Sequence, residues 1–424
     1  MERKVLKFLK YWKNEDNRKP LVVYGSKQVG KTYTVLKFGE EEYSNVVYID
    51  ANDNDTLVSG LKKEKTMDSI ISLFKSYSGE DIIKNETLVV IDNVNNVDIV
   101  NSIKTFGKFK NDYHIILITS LKENLSKFKG EELQFKSVFP MDFEEYLVAI
   151  GKSELIDFIR LSFKNNSKMP FHSVAMEYYN NYIITGGMPE AVNLSINDSN
   201  ILLINSVFDK IIDSYRKEMA LQDNLIDITR CYEVYDSIPL QLQKSNKKFQ
   251  YGLIKDGGRS KEYESALTFL HNNGFIYKCY KLKDIKSPLS TFKDKDNFKV
   301  YLNDSGLLYK KMHLNKLKFD SCFELKEILY ENSIALALIN SGYNLQYYQS
   351  EGKAFIDFVI QTRTGNIIPI EFVPFNKTKS KALALFMDKY KIKDGIRITQ
   401  DNFCFKKGIR YIPIYATFCL NEMV

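Results

Sequence analysis

The sequence predicts an α/β fold in which a parallel β-sheet, covered by helices on both faces, is followed by a more helical half with further strands near its end. Four short apolar runs predict the sheet: Pro20 to Tyr24, Asn45 to Asp50, Thr87 to Asp92 and His114 to Ser120. They are too short for helices and too continuously apolar for strands with one wet face. Segments of helical period separate them, and strands alternating with helices pair in parallel within one sheet. The third observation is the run after the first strand, Gly25-Ser26-Lys27-Gln28-Val29-Gly30-Lys31-Thr32, a complete G-x-x-x-x-G-K-[ST] phosphate loop between strand and helix.

The elements follow in chain order. Val5, Phe8, Leu9 and Trp12 recur at helical spacing and make residues 2–14 an amphipathic helix. In the loop, Gly25 and Gly30 let the backbone curl so that successive N–H groups face an anion, with the N-terminus of a helix from Tyr33 to Gly39 behind them. The expected nucleotide-binding residues are Gly25, Ser26, Lys27, Gln28, Val29, Gly30, Lys31, Thr32 and Tyr33. Lys31 reaches the β and γ phosphates, and the Thr32 hydroxyl sits on Mg²⁺. The chain is thus expected to be a P-loop NTPase. Met67 to Tyr77 is helical, and Leu88-Val89-Val90-Ile91-Asp92 has the Walker B pattern, which sets Asp92 at the carboxyl end of its strand to hold the metal through its water shell.

Most hydrolysing relatives carry glutamate after this aspartate, where the present chain has Asn93. An amide can orient a water but cannot take its proton, so hydrolysis should be slow or should use another base. Thr119 and Ser120 close the fourth strand where a polar sensor of the γ-phosphate can stand; the alternative is a strand that simply ends in hydroxyl residues.

At 424 residues, the chain is expected to form two to four domains, given about 150 residues per domain. Its 44% hydrophobic and 13% aromatic content is that of a globular protein. No apolar run reaches membrane-spanning length and the N-terminus lacks a signal-peptide core, so a cytoplasmic protein with no membrane partner is expected. Cys231, Cys279, Cys322, Cys404 and Cys419 form no C-x-x-C pair, and His114, His172, His271 and His313 share no ligand spacing. Reduced thiols and ordinary structural histidines follow. The net charge of +7 is uneven: residues 226–315 hold 16 Lys and Arg against 10 Asp and Glu, and residues 316–424 hold 15 against 11. That excess fits either an anionic partner or a solvated surface.

Tyr251 to Tyr280 reads as a winged helix-turn-helix. Ser260 caps a helix with the apolar stripe Tyr263, Ala266, Leu267 and Leu270, and Asn273-Gly274 ends it before a strand from Phe275 to Tyr280. Lys244, Lys247, Lys248, Lys255, Arg259 and Lys261 gather before or at the start of that helix, where DNA phosphates could be met. Packing between domains is the other use of such a module.

Several phrases join the phosphate loop and Ile91-Asp92-Asn93-Val94. They are Phe139-Pro-Met-Asp-Phe-Glu-Glu-Tyr-Leu147, Tyr182-Ile-Ile-Thr-Gly-Gly-Met-Pro-Glu-Ala-Val192, Lys299-Val-Tyr-Leu-Asn-Asp-Ser-Gly-Leu-Leu308, Leu329-Tyr-Glu-Asn332, Ile356-Asp-Phe-Val359 and Ile368-Pro-Ile-Glu371. In this order the chain resembles, over nearly its whole length, a family of prokaryotic AAA-type ATPases with a C-terminal region like a degenerate restriction endonuclease. The resemblance implies ATP and Mg²⁺ as ligands, with adenine the default base. It gives an ATPase domain over 1–139, a helical lid over 140–225, a winged helix over 226–315 and a restriction-endonuclease-like α/β domain over 316–424. It also implies an arginine completing the site from the lid or a neighbouring subunit, with Arg160, Arg216, Arg230 and Arg259 as candidates.

A nuclease of that type needs carboxylates for Mg²⁺ and a lysine to activate water. Glu331 on a helix, Asp357 opening one strand and Glu371 in the next are the candidates, with residues 361–366 as the turn of a hairpin. Where the family pattern has lysine, two residues after the glutamate, this chain has Val373, and Lys377 and Lys379 are the nearest replacements in sequence. Three functional readings follow. The first is an AAA-type ATP-binding switch with slow or no hydrolysis, docking a nucleic-acid or protein partner through its C-terminal half. The others are an ATP-dependent, Mg²⁺-dependent nuclease and a signalling scaffold without nucleic acid. Oligomeric state does not follow from the sequence.

Overall fold

The computed structural model describes residues 1–52, 55–64, 66–108, 112–120, 130–197, 200–220, 227–350, 355–374 and 381–423. The chain divides into two compact units, Met1–Phe139 with Asn272–Gly274, and Pro140–His271 with Phe275–Val424.

In the first unit, β1 (Leu21–Tyr24), β2 (Asn45–Asp50), β3 (Thr87–Asp92), β4 (His114–Thr119) and β5 (Gln134–Ser137) form one sheet in the order β2-β3-β4-β1-β5. Every pairing is parallel. Because both faces are covered, β3 and β4 are buried throughout. Val89, Ile91, Ile115 and Leu117 pack with Leu57, Ile70, Phe74 and Ile99 from the helices on one side. Helix Lys31–Glu42 buries Val35 and Phe38, and helix Lys4–Lys13 buries Val5, Leu6, Leu9 and Trp12. β5 leaves no signal in the sequence, because Gln-Phe-Lys-Ser on a sheet edge carries no apolar run to mark it.

The second unit opens with helices Phe143–Ala149, Ser153–Asn165, His172–Thr185, Pro189–Asn197 and Ile201–Ala220. Helix Ile228–Gln243, a short 3-10 turn Tyr251–Leu253 and helix Ser260–Asn272 precede an antiparallel hairpin of β6 (Ile276–Leu282) and β7 (Lys293–Leu302). β6 also pairs in parallel with β8 (Gln346–Gln349), which pairs with β9 (Phe355–Ile356). A separate sheet runs in the order β10-β11-β12-β14-β13, from β10 (Phe358–Gln361), β11 (Ile367–Phe372), β12 (Gly395–Thr399), β13 (Cys404–Lys406) and β14 (Ile409–Pro413). Helix Phe323–Asn340 is buried on nearly all sides, which explains its lack of a polar stripe.

Among the described residues the five cysteines form no disulfide. Two of the four histidines are built into the packing through ring contacts with tyrosine: His114 Nδ1 lies 2.6 Å from Tyr43 Oη and His172 Nδ1 lies 3.0 Å from Tyr415 Oη. Among the described residues no helix is long and apolar enough to cross a membrane.

Candidate nucleotide-binding site

The phosphate loop leaves β1 at Tyr24, and its first turn is fixed by a close approach. A Cβ on Gly25 would lie 2.1 Å from the Val138 carbonyl oxygen, while Val138 N–H donates to Tyr24 O at 2.7 Å. No side chain fits there. Gly30, at φ 86°, is the left-handed residue from which helix Lys31–Glu42 starts, a conformation glycine takes without steric cost. Val29 is fully buried beneath the loop, and Arg3 clamps it from outside: Nη1 donates to Val29 O and Nη2 to Phe139 O, each at 2.8 Å. Lys31 Nζ donates to the carbonyls of Gly25 and Ser26, both at 2.9 Å, so the ammonium lies within the curl of the loop. Ser26 is buried and Lys27 half-buried, whereas Gln28 and Tyr33 are exposed at its rim.

The Walker B carboxylate meets this loop directly. Thr32 Oγ1 donates to Asp92 Oδ2 at 2.6 Å, and the Tyr48 hydroxyl donates to the same oxygen at 3.1 Å. Partial burial, reinforced by the Asp92 charge, pushes the Tyr48 phenol well above its ordinary value, so it stays a donor at neutral pH. Asn93 N–H donates to Asp92 Oδ1 at 2.7 Å, and Asn93 Nδ2 donates across to Asp50 Oδ1 at 2.9 Å. β2 and β3 are paired so that Asp50 stands opposite Asp92. Thr119, opposite Tyr24 on β1, is buried, and Ser120 beyond it is half-buried.

These residues fit a triphosphate with its magnesium. The glycine-shaped curl opens onto a helix N-terminus, a lysine lies inside it, and a hydroxyl paired with a carboxylate supplies the hard oxygens that Mg²⁺ takes. Residues 17–147 match the family model of the AAA domain. They form an AAA-type ATPase domain.

Two further models, both for domains of unknown function, match residues 176–318 (DUF8612) and 326–417 (DUF4143). No curated protein matches the chain. Among solved structures, the chain is similar to a Walker-type ATPase of Pyrococcus abyssi, at 13% identity over 73% of this chain and 95% of that one, with a TM-score of 0.45. It is also similar to a signal transduction ATPase with numerous domains from Pyrococcus horikoshii that has a tetratricopeptide repeat sensor (16%, 80% of this chain and 45% of that one, TM-score 0.30). Drosophila ORC bound to DNA is a third (12%, 73% and 94%, TM-score 0.30).

In the ATPase domain, sequence reasoning missed Arg3, Tyr48 and Asp50. The polar residues closing β2 were visible, but their role depends on the β2–β3 register, which the sequence does not display.

The second unit gathers the other candidate carboxylates. Asp357 immediately precedes β10 and Glu371 lies near the end of β11, and Asp357 Oδ2 accepts from Phe372 N at 2.9 Å. With Glu331 they line a cavity of about 600 Å³ that also touches Lys244, Lys247 and Lys299. Among the described residues no group of three or more His, Cys, Asp and Glu side chains is placed to hold a metal ion. Protein cations take the charge instead. Glu331 Oε1 accepts from Lys299 Nζ at 2.9 Å and from the Tyr301 hydroxyl at 2.6 Å, and Lys247 caps Oε2. Glu371 Oε2 is held by Arg397 at 2.6 and 2.7 Å.

Burial pushes Glu331 upward, but Lys247 and Lys299 outweigh it and hold the carboxyl well below the usual carboxylate range. At Asp357 burial wins, against the pull of Lys299, and the carboxyl is pushed up to about 7. Lys247, one of the basic residues gathered before helix Ser260–Asn272, is thus turned inward. Lys377 and Lys379 lie outside the described residues. Lys299 was the readable signal, a lone lysine in the apolar strand Phe298-Lys299-Val300-Tyr301-Leu302.

Proposed function

We propose that the chain is an ATP-binding switch whose ATPase domain holds Mg·ATP and hydrolyses it slowly, and whose second unit docks a partner. The observation that carries this reading is the Thr32–Asp92 hydrogen bond beside Asn93, an amide bonded to Asp50. The metal-binding half of the site is present, and the residue that follows it has no basic atom.

Bound Mg·ATP would supply an electrophilic γ-phosphorus and a leaving group whose charge the metal shares. The chain's own residues then bind and orient. The loop from Gly25 to Tyr33 surrounds the phosphates, Lys31 turns from the Gly25 and Ser26 carbonyls towards them, and Thr32 and Asp92 hold the metal, directly and through water. Thr119 remains the candidate sensor. The segment 140–225 is read as the lid. Of the candidate arginines, Arg160 is paired with Glu144, Arg216 with Asp236 and Arg230 with Asp227, whereas Arg259 is exposed. The test is Mg·ATP binding and turnover measured on one sample. Stoichiometric binding with turnover of roughly one per minute or slower is expected; brisk turnover, at the roughly 10 per second of a typical enzyme, would contradict the slow switch.

For the partner we favour DNA, through a winged helix in 226–315. Lys244, Lys248, Lys255, Arg259 and Lys261 are exposed on and before helix Ser260–Asn272, which precedes the β6–β7 hairpin in the order expected of a wing. Replacing Lys255, Arg259 and Lys261 together by alanine should weaken duplex binding similarly for all sequences. It should also lower the slope of log affinity against log salt by about 3. Salt-independent or absent DNA binding would move the reading to a signalling scaffold. The nuclease reading is disfavoured by the pairing of Glu331 and Glu371 with lysine and arginine.

A further inference from the structure

We propose that Asp50 is the group that accepts the proton of the attacking water in this chain, and that Asn93 is its positioning residue. The inference rests on the ATP-binding reading above and names the base that the Walker B segment lacks.

The position after Asp92 is where a hydrolysing relative presents its carboxylate. Here that position reaches a carboxylate through one hydrogen bond, Asn93 Nδ2 to Asp50 Oδ1 at 2.9 Å. Asn52 N–H donates to the same oxygen at 2.9 Å, so two donors fix the plane of the Asp50 carboxyl. Asp50 and Asp92 stand opposite each other at the carboxyl ends of parallel strands, the end of such a sheet where ligands bind. Asp50 is exposed, so water reaches it.

The alternatives nearby are committed. Asp92 accepts from Thr32, Tyr48 and Asn93. Asn93 itself sits at φ 56°, in the left-handed region that asparagine tolerates better than other side chains. Asparagine at 93 thus satisfies two demands at once: it takes up the turn after β3 and supplies the donor that aims Asp50.

In the step proposed, Asp50 accepts one proton as the water oxygen bonds to the γ-phosphorus. The bond between that phosphorus and the β–γ bridging oxygen breaks, ADP leaves with the electron pair, and Asp50 returns the proton to solvent. A carboxylate reached through a neighbouring strand, and not carried by the Walker B turn, is consistent with slow turnover.

The test uses the full-length protein with Asp50→Asn, which keeps the shape and the acceptor oxygen. It combines single-turnover hydrolysis of Mg·ATP with equilibrium binding of a fluorescent ATP analogue. Binding within about twofold of wild type and hydrolysis lower by roughly 100-fold are expected. Asn93→Ala should lower the rate by less, without changing binding. In the Asn93→Glu background, Asp50→Asn should have little effect on the rate. An unchanged rate in Asp50→Asn, no hydrolysis in wild type, or lost binding in Asp50→Asn alone would each overturn the assignment while leaving the ATP-binding reading intact. Wild-type protein that fails to bind the nucleotide would overturn that reading, and this inference with it.

Discussion

Replacing Lys31 with alanine is expected to weaken Mg·ATP binding by roughly 100-fold or more. Two hydrogen bonds from an ammonium to phosphate oxygens contribute about 3 kcal/mol or more together, and tenfold in affinity corresponds to about 1.4 kcal/mol. The fold should tolerate the change. Lys31 Nζ bonds to the carbonyls of Gly25 and Ser26, and the shape of the loop is set elsewhere, by the Gly25–Val138 approach and the Arg3 clamp. Calorimetric titration with Mg·ATP, alongside thermal unfolding, separates the two effects. An affinity within threefold of wild type, with the fold unchanged, would mean that the loop is not the nucleotide site.

Glu331→Ala should produce the largest loss of stability in the second unit, about 3–5 kcal/mol, because breaking a buried ion pair strands its partners. Lys299, at 1% exposure, and Lys247 would both lose the carboxylate that compensates them, and the Tyr301 hydroxyl would lose its acceptor. The midpoint of thermal unfolding should fall by roughly 10 °C, at about 2–4 °C per kcal/mol for a unit of this size.

The sign of the pH dependence follows from the same charges. The folded-state Glu331 carboxyl lies below its unfolded value, so its contribution is complete above the unfolded value and is lost as pH falls through the folded one. Wild type should therefore lose more stability than Glu331→Ala on acidification below about pH 4. Adding Lys299→Met should recover part of the loss in Glu331→Ala, since the stranded ammonium is removed with it. A Glu331→Ala protein as stable as wild type would show that the network is solvated and not buried.

The ATPase domain was readable because its signals are local. A strand, a glycine-punctuated loop and a helix lie within about twenty consecutive residues, and the buried strands announce themselves as uninterrupted apolar runs. β5 escaped because a polar edge strand has no such run, and β7 because it begins Lys-Asp-Lys-Asp and turns apolar only at Phe298. The same distinction separates the sites. Gly25 to Thr32 and Asp92 are defined by spacing along the chain, whereas Asp50, Tyr48 and Arg3 join them through strand register and a long side chain.

In the second unit the carboxylates were visible as motifs, whereas of their partners only Lys299 left a mark, as a lone lysine in an apolar strand, and its pairing with Glu331 did not. Lys247, Lys299 and Arg397 come from a loop, a strand and a neighbouring strand of the other sheet, and nothing in sequence separation marks them as counter-ions. Lys247 is the clearest case: a lysine amid exposed lysines looks solvated until the helix carrying Glu331 is packed beside it.

On the proposed function, Mg·ATP is bound and only slowly hydrolysed because the residue after Asp92 is an amide. Single-turnover hydrolysis of bound ATP by wild type and by Asn93→Glu, with affinity measured on the same samples, tests it most directly. A left-handed glutamate at φ 56° costs on the order of 1–2 kcal/mol, too little to unfold a stable domain. The expected result is equal affinity and a rate at least tenfold higher in Asn93→Glu than in wild type. Fast hydrolysis by wild type, left unchanged or slowed by Asn93→Glu at equal affinity, would contradict it.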